Sequence, residues 1–151
     1  MQVRTFNEKD GSAVKDLIVS ILTKEYPFDK GVYEDSDLAD IARSYGEKRD
    51  CFLVVESDKK IIGTIGIKED SQDTAIIRRL FVEPSCRRRG YGTLLLEKGI
   101  RECRKNNFKH IVFRTTGKMA QALILFKKEG FKEVEKMDLG GFEIYKFALD
   151  L

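Results

Sequence analysis

The chain has 151 residues, 42% hydrophobic and 35% charged, a balance that fits one soluble globular domain spanning residues 1–151 and excludes a disordered or collagen-like polymer. A net charge of only +3 is too small by itself to mark a nucleic-acid binder. Three cysteines, Cys51, Cys86 and Cys103, without a CxxC pair, and one histidine, His110, support neither a disulfide framework nor a zinc site, and no metal is expected.

In chain order, "QVRTF" alternates like a short opening strand, and "GSAVKDLIVSILTKEY" sets Val14, Leu17, Ile18, Ile21 and Leu22 on one helical face. The start "MQVRTFNEKD" lacks the charged and apolar stretches of a signal peptide, and no apolar run reaches the length of a membrane span. A cytoplasmic, non-membrane protein is expected. Pro27 and Gly31 break the helix, and "SDLADIARSYG" predicts a second helix capped by Ser36 and ended by Gly46. "CFLVVES" and "KIIGTIGIKED" form a hairpin pattern, and "TAIIRRLFV" adds a third long strand.

Helical spacing returns from Tyr91 to Lys105 with Leu94, Leu95, Ile100 and Cys103 directed inward, and "HIVFRTT" follows as a strand. Strand, helix and strand make a crossover, so the two strands should run parallel. "KMAQALILFKKEG" predicts a last helix with Met119, Leu123 and Phe126 on related faces and Gly130 as its stop, before the strands "FKEVEKM" and "FEIYKFAL". The sum is a mixed α/β sheet with seven strands and four helices on its faces.

The chemistry concentrates in "VEPSCRRRGYGTLLLE", a turn that leaves a strand and opens a helix whose first amides lack intrahelical partners. Gly90 and Gly92 remove the β-carbons that would hold a ligand off the backbone. The helix dipole adds about half a positive charge, and Arg87, Arg88 and Arg89 add more. A pyrophosphate suits such a cradle, and a β-branched residue at Gly90 should occupy its space. A dinucleotide fingerprint would need a third glycine where Leu95 stands, and no Walker pattern occurs. The bland alternative is a tight turn beside a solvated basic face. A nucleic-acid patch is a further one, although Tyr91 stands alone without the aromatic interleaving such patches use.

"RRLFVEPSCRRRGYGTLLLE" resembles the acetyl-CoA-binding motif of the GNAT superfamily of N-acetyltransferases, with Val82, Pro84, Arg87, Gly90 and Gly92 in the places of its V-x-P and [RQ]-x-x-G-x-[GA] elements. "MAQALILFKKEGF" is similar to the family's late helix and turn, and the element order is the family's. The resemblance implies the GNAT-like acyl-CoA N-acyltransferase fold, a mixed seven-stranded sheet flanked by four helices. It implies acetyl-CoA as co-substrate: Arg87, Arg88, Arg89, Gly90, Tyr91, Gly92 and Thr93 wrap the pyrophosphate, Leu80, Phe81 and Val82 pair with the pantetheine arm, and Phe126 lies against the coenzyme. It also implies that "TAIIRRLFV" and "HIVFRTT" splay into a cleft holding the thioester, and that the partner is an amine of a small molecule or protein.

Two positions depart from the family pattern. A glutamate that often serves as base is matched by Ile76, and a tyrosine that often protonates the leaving thiolate is matched by Phe126. The catalytic groups are therefore unassigned. Candidate substitutes are Glu25, Tyr26, Asp29, Tyr33 and Tyr145; each is also explained as a surface carboxylate or packing tyrosine. A Cys86 and His110 nucleophile pair is a weaker reading, since His110 begins the next strand. The acidic "YEDSDLAD" could attract a cationic acceptor, or could serve only as helix N-terminal charge. Beside acetyl transfer stand a silent acyl-CoA-binding sensor, motivated by Ile76 and Phe126, and a basic nucleic-acid-binding domain.

Overall fold

The computed structural model describes residues 2–27, 36–116 and 120–151. Its strands are β1 (Gln2–Thr5), β2 (Cys51–Ser57), β3 (Lys60–Glu69), β4 (Thr74–Val82), β5 (His110–Thr116), β6 (Lys132–Leu139) and β7 (Phe142–Asp150). The helices are α1 (Gly11–Glu25), α2 (Ile41–Ser44), α3 (Tyr91–Lys105) and α4 (Ala120–Lys128). All seven strands join one sheet in the order β1-β2-β3-β4-β5-β7-β6. Only β4 and β5 pair in parallel, as the α3 crossover requires.

Each face of the sheet has its own apolar filling. On one face, α3 packs Leu95, Leu96, Ile100 and Cys103 against Leu53, Val55, Ile65, Ile67, Ala75 and Ile77. Close approach there needs glycine: a Cβ on Gly99 would stand 3.0 Å from Ile65 Cδ1 and 3.1 Å from Ile67 Cδ1. On the other face, Val14, Ile18 and Leu22 of α1 join Leu38, Ile41 and Tyr45 over Phe52, Val54 and Ile61.

The expected elements appear with several differences. Leu94 is only half-buried, and the inward position falls to Leu96, which is fully buried. Leu17 is half-buried at the edge of the α1 face. The second helix is shorter than its pattern suggests: a 3-10 turn at Ser36–Ala39 precedes one turn of α2. The cap of α2 is Asp40, whose carboxylate accepts from the Arg43 amide at 3.1 Å, so Ser36 does not cap it. Met119 and Gly31 lie outside the described residues. The β2–β3 hairpin turns through Asp58 and Lys59 at φ 51° and 64°, the left-handed pair of a two-residue type I′ loop.

β4 carries a bulge that decides where the site lies. Its register against β3 slips between Thr64 and Gly66, and Arg79 takes φ 57°. Strand alternation consequently changes parity. Ala75 and Ile77 face α3 before the bulge, and Leu80 and Val82 face it afterwards. Arg78 and Arg79 are both left on the opposite side. Arg79 is buried and binds Asp37 through Nε at 3.1 Å and Nη2 at 2.6 Å, while Tyr45 donates to the same carboxylate at 2.7 Å. The Thr64 hydroxyl donates to the bulged carbonyl of Arg79 at 2.7 Å.

Candidate functional site

Parallel pairing of β4 with β5 is confined to Thr74, Ala75 and Ile76 against His110, Ile111 and Val112. Past Ile76 the strands part, and the edge of β4 that faces β5 has no strand partner over Leu80–Val82. Unpaired backbone amides and carbonyls along a strand are a template for an extended ligand. The opening leads directly into the turn before α3.

That turn alternates in hand. Arg88 has φ 65° and Gly90, the N-cap of α3, has φ 83° and ψ 7°. A left-handed residue followed by right-handed helix turns successive N–H groups toward one point, an anion-binding nest. Gly90 offers no side-chain cap, and the first helical bond runs from the Leu94 amide to the Gly90 carbonyl at 3.0 Å. The amides of Tyr91, Gly92 and Thr93 are thus left for a ligand or water.

Strand edge and turn share a cleft of about 490 Å³, lined by Ile21, Glu25 and Tyr26 of the α1 end, by Leu80, Phe81 and Val82, by Arg87, Arg88, Gly90, Tyr91, Gly92 and Thr93, and by Ala122 and Leu125 of α4. This size falls within the range of small-molecule and cofactor sites. A larger recess of about 610 Å³ lies along the other flank of α1, among charged side chains that include Lys9, Asp16, Lys24 and Lys59. It contains none of the helix-opening amides of α3, so the smaller cleft is the candidate site.

The structure brings most of the expected binding residues to one wall and moves two of them away. Arg89 is exposed and does not line the cleft. Phe126 is 0% exposed, stacked on Phe113 at 4.0 Å between centroids and meeting Phe131 edge-on at 4.8 Å. It fills the core behind α4, and Leu125 is the neighbour that reaches the cleft. The expectation that Phe126 touches the coenzyme is corrected on that ground: helix periodicity gives the cleft to positions 122 and 125 and the core to 126.

Arg87 lines the cleft but is already engaged. Its Nη atoms bind both carboxylate oxygens of Glu25 at 2.6 and 2.8 Å, and its Nε donates to the Val82 carbonyl at 3.0 Å. It ties the end of α1 to the end of β4, across the mouth of the cradle. Glu25 is accordingly the partner of a guanidinium, a poor arrangement for a proton acceptor.

The other substitutes for base and acid are dispersed. Tyr26 lines the cleft. Tyr145 donates to Glu143 at 2.8 Å, and this bond holds its hydroxyl above the ordinary tyrosine range, against proton donation. Asp29 and Tyr33 lie outside the described residues. Ile76 is half-buried at the last β4–β5 pair, where the strands begin to separate. Cys86 lies in the turn after the end of β4 whereas His110 pairs with Thr74 at its start, a strand of eight steps at about 3.3 Å each away, and His110 pairs with Asp150 at 2.8 Å. Burial pushes Cys51 and Cys103 up to about 12, which makes them inert. Among the described residues no group of three metal-ligating side chains occurs, and no helix is long and apolar enough to cross a membrane.

Sequence reasoning missed the Asp37–Arg79–Tyr45 cluster and the Arg87–Glu25 clasp. The first had a signal: "RR" inside the apolar "TAIIRRLFV" sets two consecutive charges where alternation would drive one into the α3 core. The clasp spans 62 positions and had none.

The geometry has counterparts among known proteins. The profile of the Acetyltransferase (GNAT) family matches residues 15–131. A Xenopus laevis protein named "Probable N-acetyltransferase camello" is 32% identical over 100 residues, which cover 64% of this chain and 46% of that protein. The chain thus spans about half the length of this curated relative. An acetyltransferase of the GNAT family from Staphylococcus aureus Mu50 superposes with a TM-score of 0.84 at 22% identity, over 96% of both chains. The yncA structure from Salmonella typhimurium, solved with its cofactor acetyl-CoA, superposes with a TM-score of 0.78 at 20% identity, over 99% of this chain and 93% of that one. With its profile matched over most of its length and the seven-stranded sheet of its structural neighbours reproduced, the chain belongs to the GNAT acetyltransferase family.

Proposed function

We propose that this chain is an acetyl-CoA-dependent N-acetyltransferase acting on a primary amine of a small molecule or protein by direct attack in a ternary complex. The observation that carries the proposal is the continuity of a strand edge without a strand partner, Leu80–Val82, with an uncapped helix N-terminus at Tyr91–Thr93. The first suits an amide-rich arm and the second a pyrophosphate, which are the two halves of coenzyme A. Backbone groups supply most of this recognition, with Arg88 at the cleft and Arg87 clasped to Glu25.

In this reaction the amine nitrogen bonds to the thioester carbon as the carbon–sulfur bond breaks. The ammonium proton leaves before or during attack, and the thiolate takes a proton afterwards. A lysine-like amine has a reference pKa of about 10.4 and a thiol about 8.5. The sulfur is consequently a tolerable leaving group, and deprotonating the amine is the harder demand. Ile76 and the buried Phe126 offer neither base nor acid, which leaves orientation in the cleft as the main source of rate.

Those same two residues support a second reading, an acyl-CoA-binding module without turnover. Thiol release from acetyl-CoA across a panel of primary amines separates the readings. Amine-dependent release with stoichiometric acetylated product supports the enzyme. Coenzyme binding by calorimetry with no release on any amine would leave the binding module. Nucleic-acid affinity that falls steeply with salt and is indifferent to coenzyme A would overturn both.

A further inference from the structure

The sheet face opposite α3 carries a row of cations beyond the point where β4 and β5 part. Arg78 stands two residues past Ile76 on β4, and Arg114 stands two past Val112, the residue paired with Ile76. Arg114 is in turn directly opposite Lys146 of β7. Ile111 and Phe113 pack into the α3 core, so Arg114 projects to the other side, as Lys146 does beside Phe147. Like charges opposite one another on a sheet are destabilising.

Among the described residues no ion pair neutralises this row. Asp37 is the carboxylate that senses Arg78 electrostatically, but Arg79 and Tyr45 already occupy its oxygens. Glu135 is opposite Lys146 on β6 without forming an ion pair. Arg78, Arg114 and Lys146 make no side-chain hydrogen bond or ion pair among the described residues, although Arg78 and Lys146 are half-buried. Of the acidic stretch expected to draw a cationic acceptor, the two described carboxylates are engaged elsewhere, Asp37 buried under Arg79 and Asp40 capping α2, while Glu34 and Asp35 lie outside the described residues.

We propose that the acceptor bears a carboxylate beside its amine, as an amino acid or amino-acid conjugate does, and that Arg78 and Arg114 hold that carboxylate, with Lys146 extending the field. This rests on the acetyl-transfer reading and specifies its substrate class. The row lies on the face away from α3, so the acceptor reaches the parting of the strands from the side opposite the helix that opens at the coenzyme cradle. Guanidinium groups match carboxylates in shape and charge. Surplus positive charge near the amine also disfavours its ammonium form, which relieves part of the demand for a base that Ile76 cannot meet.

The test compares phenylalanine with phenethylamine, which share a side chain and amine and differ in the carboxylate. Wild type is expected to acetylate phenylalanine with at least tenfold higher kcat/KM. Arg78→Gln and Arg114→Gln should cut that ratio about tenfold, mainly through KM for phenylalanine, whereas Lys127→Gln on the exposed side of α4 should leave it in place. Equal or reversed preference in wild type, or an unchanged ratio in both arginine variants, overturns the proposal. Product binding reads the same contact without turnover: N-acetylphenylalanine should bind wild type at least tenfold more tightly than N-acetylphenethylamine, and less so in the variants. Discrimination between products in a protein that transfers no acetyl group would sink the acetyl-transfer reading and retain the carboxylate site. Equal product binding would sink the carboxylate site alone.

Discussion

Replacing Gly90 separates backbone hand from available space. Gly90 sits at φ 83° with nothing within 4 Å of an added Cβ, so a side chain there is opposed by conformation and not by crowding in the free protein. The left-handed region costs an ordinary residue about 1–2 kcal/mol. If the turn holds its shape in Gly90→Ala, that cost appears as stability, about 2–8 °C in Tm for a chain of this size. If the turn relaxes to the right-handed region, the amides of Tyr91 and Gly92 diverge and the cost is met on binding, as about a 5- to 30-fold loss of coenzyme A affinity. The two losses should trade against each other. Gly90→Asn should lose less, because Asn tolerates this conformation, and Gly90→Val more. Melting of the free protein and calorimetric titration with coenzyme A, on the same samples, read both quantities. Wild-type Tm together with wild-type affinity in the Ala and Val variants would refute the role given to this turn.

Glu25→Gln should keep kcat within about threefold, because the carboxylate is clasped by Arg87; loss of a positioned base would instead cost about 10²- to 10⁴-fold, and steady-state kinetics distinguish these. Phe126→Tyr should lower stability by about 1–3 kcal/mol by burying a hydroxyl between Phe113 and Phe131, measured by denaturant unfolding, and a rise in kcat instead would show that the hydroxyl reaches the cleft. Asp37→Asn should cost about 3–5 kcal/mol by leaving Arg79 buried without its partner. Burial pushes the Asp37 carboxyl up, but hydrogen bonds from Arg79 and Tyr45 outweigh it and hold it below the ordinary aspartate range. Its stabilisation is therefore present above the unfolded-state pKa near 3.8 and is lost as pH falls through the lower folded value. Acid unfolding monitored below pH 5 should be shallower in Asp37→Asn than in wild type.

Legibility in the sequence followed the range of the interactions. Strands and helices with strong periodicity, such as β5 and α3, were readable because their faces are set by neighbours three or four positions away or less. The turn proposed as a pyrophosphate cradle is legible because strand end, turn and helix start are contiguous between Val82 and Thr93. Leu94 is less buried than a strict inward spacing expects because α3 buries Leu95 and Leu96 together, the latter two positions on from the expected residue. Phe126 was misplaced for the complementary reason: aligning a motif assigns a position, but the rotation of α4 decides whether that position meets the cleft or Phe113. The clasp of Arg87 by Glu25 required knowing that α1 ends beside β4, which no local pattern carries.

The bulge at Arg79 links these observations, because one inserted residue has consequences on both faces of β4. Without it, Arg79 would follow Ile77 onto the α3 side and an arginine would enter a core of Ile65, Ile67 and Leu95. With it, Leu80 and Val82 regain that side and line the candidate cleft. Arg78 and Arg79 are left together on the face away from α3. Among the described residues Asp37 is the carboxylate between two guanidinium groups, and its bidentate geometry gives it to Arg79. The strained backbone is held by the Thr64 hydroxyl on the Arg79 carbonyl and by that ion pair, which makes the bulge a fixed feature rather than a fluctuation. Arg78 is thus left half-buried and without an ion pair among the described residues, two residues past the last β4–β5 pair, by the same device that builds the wall of the candidate cleft.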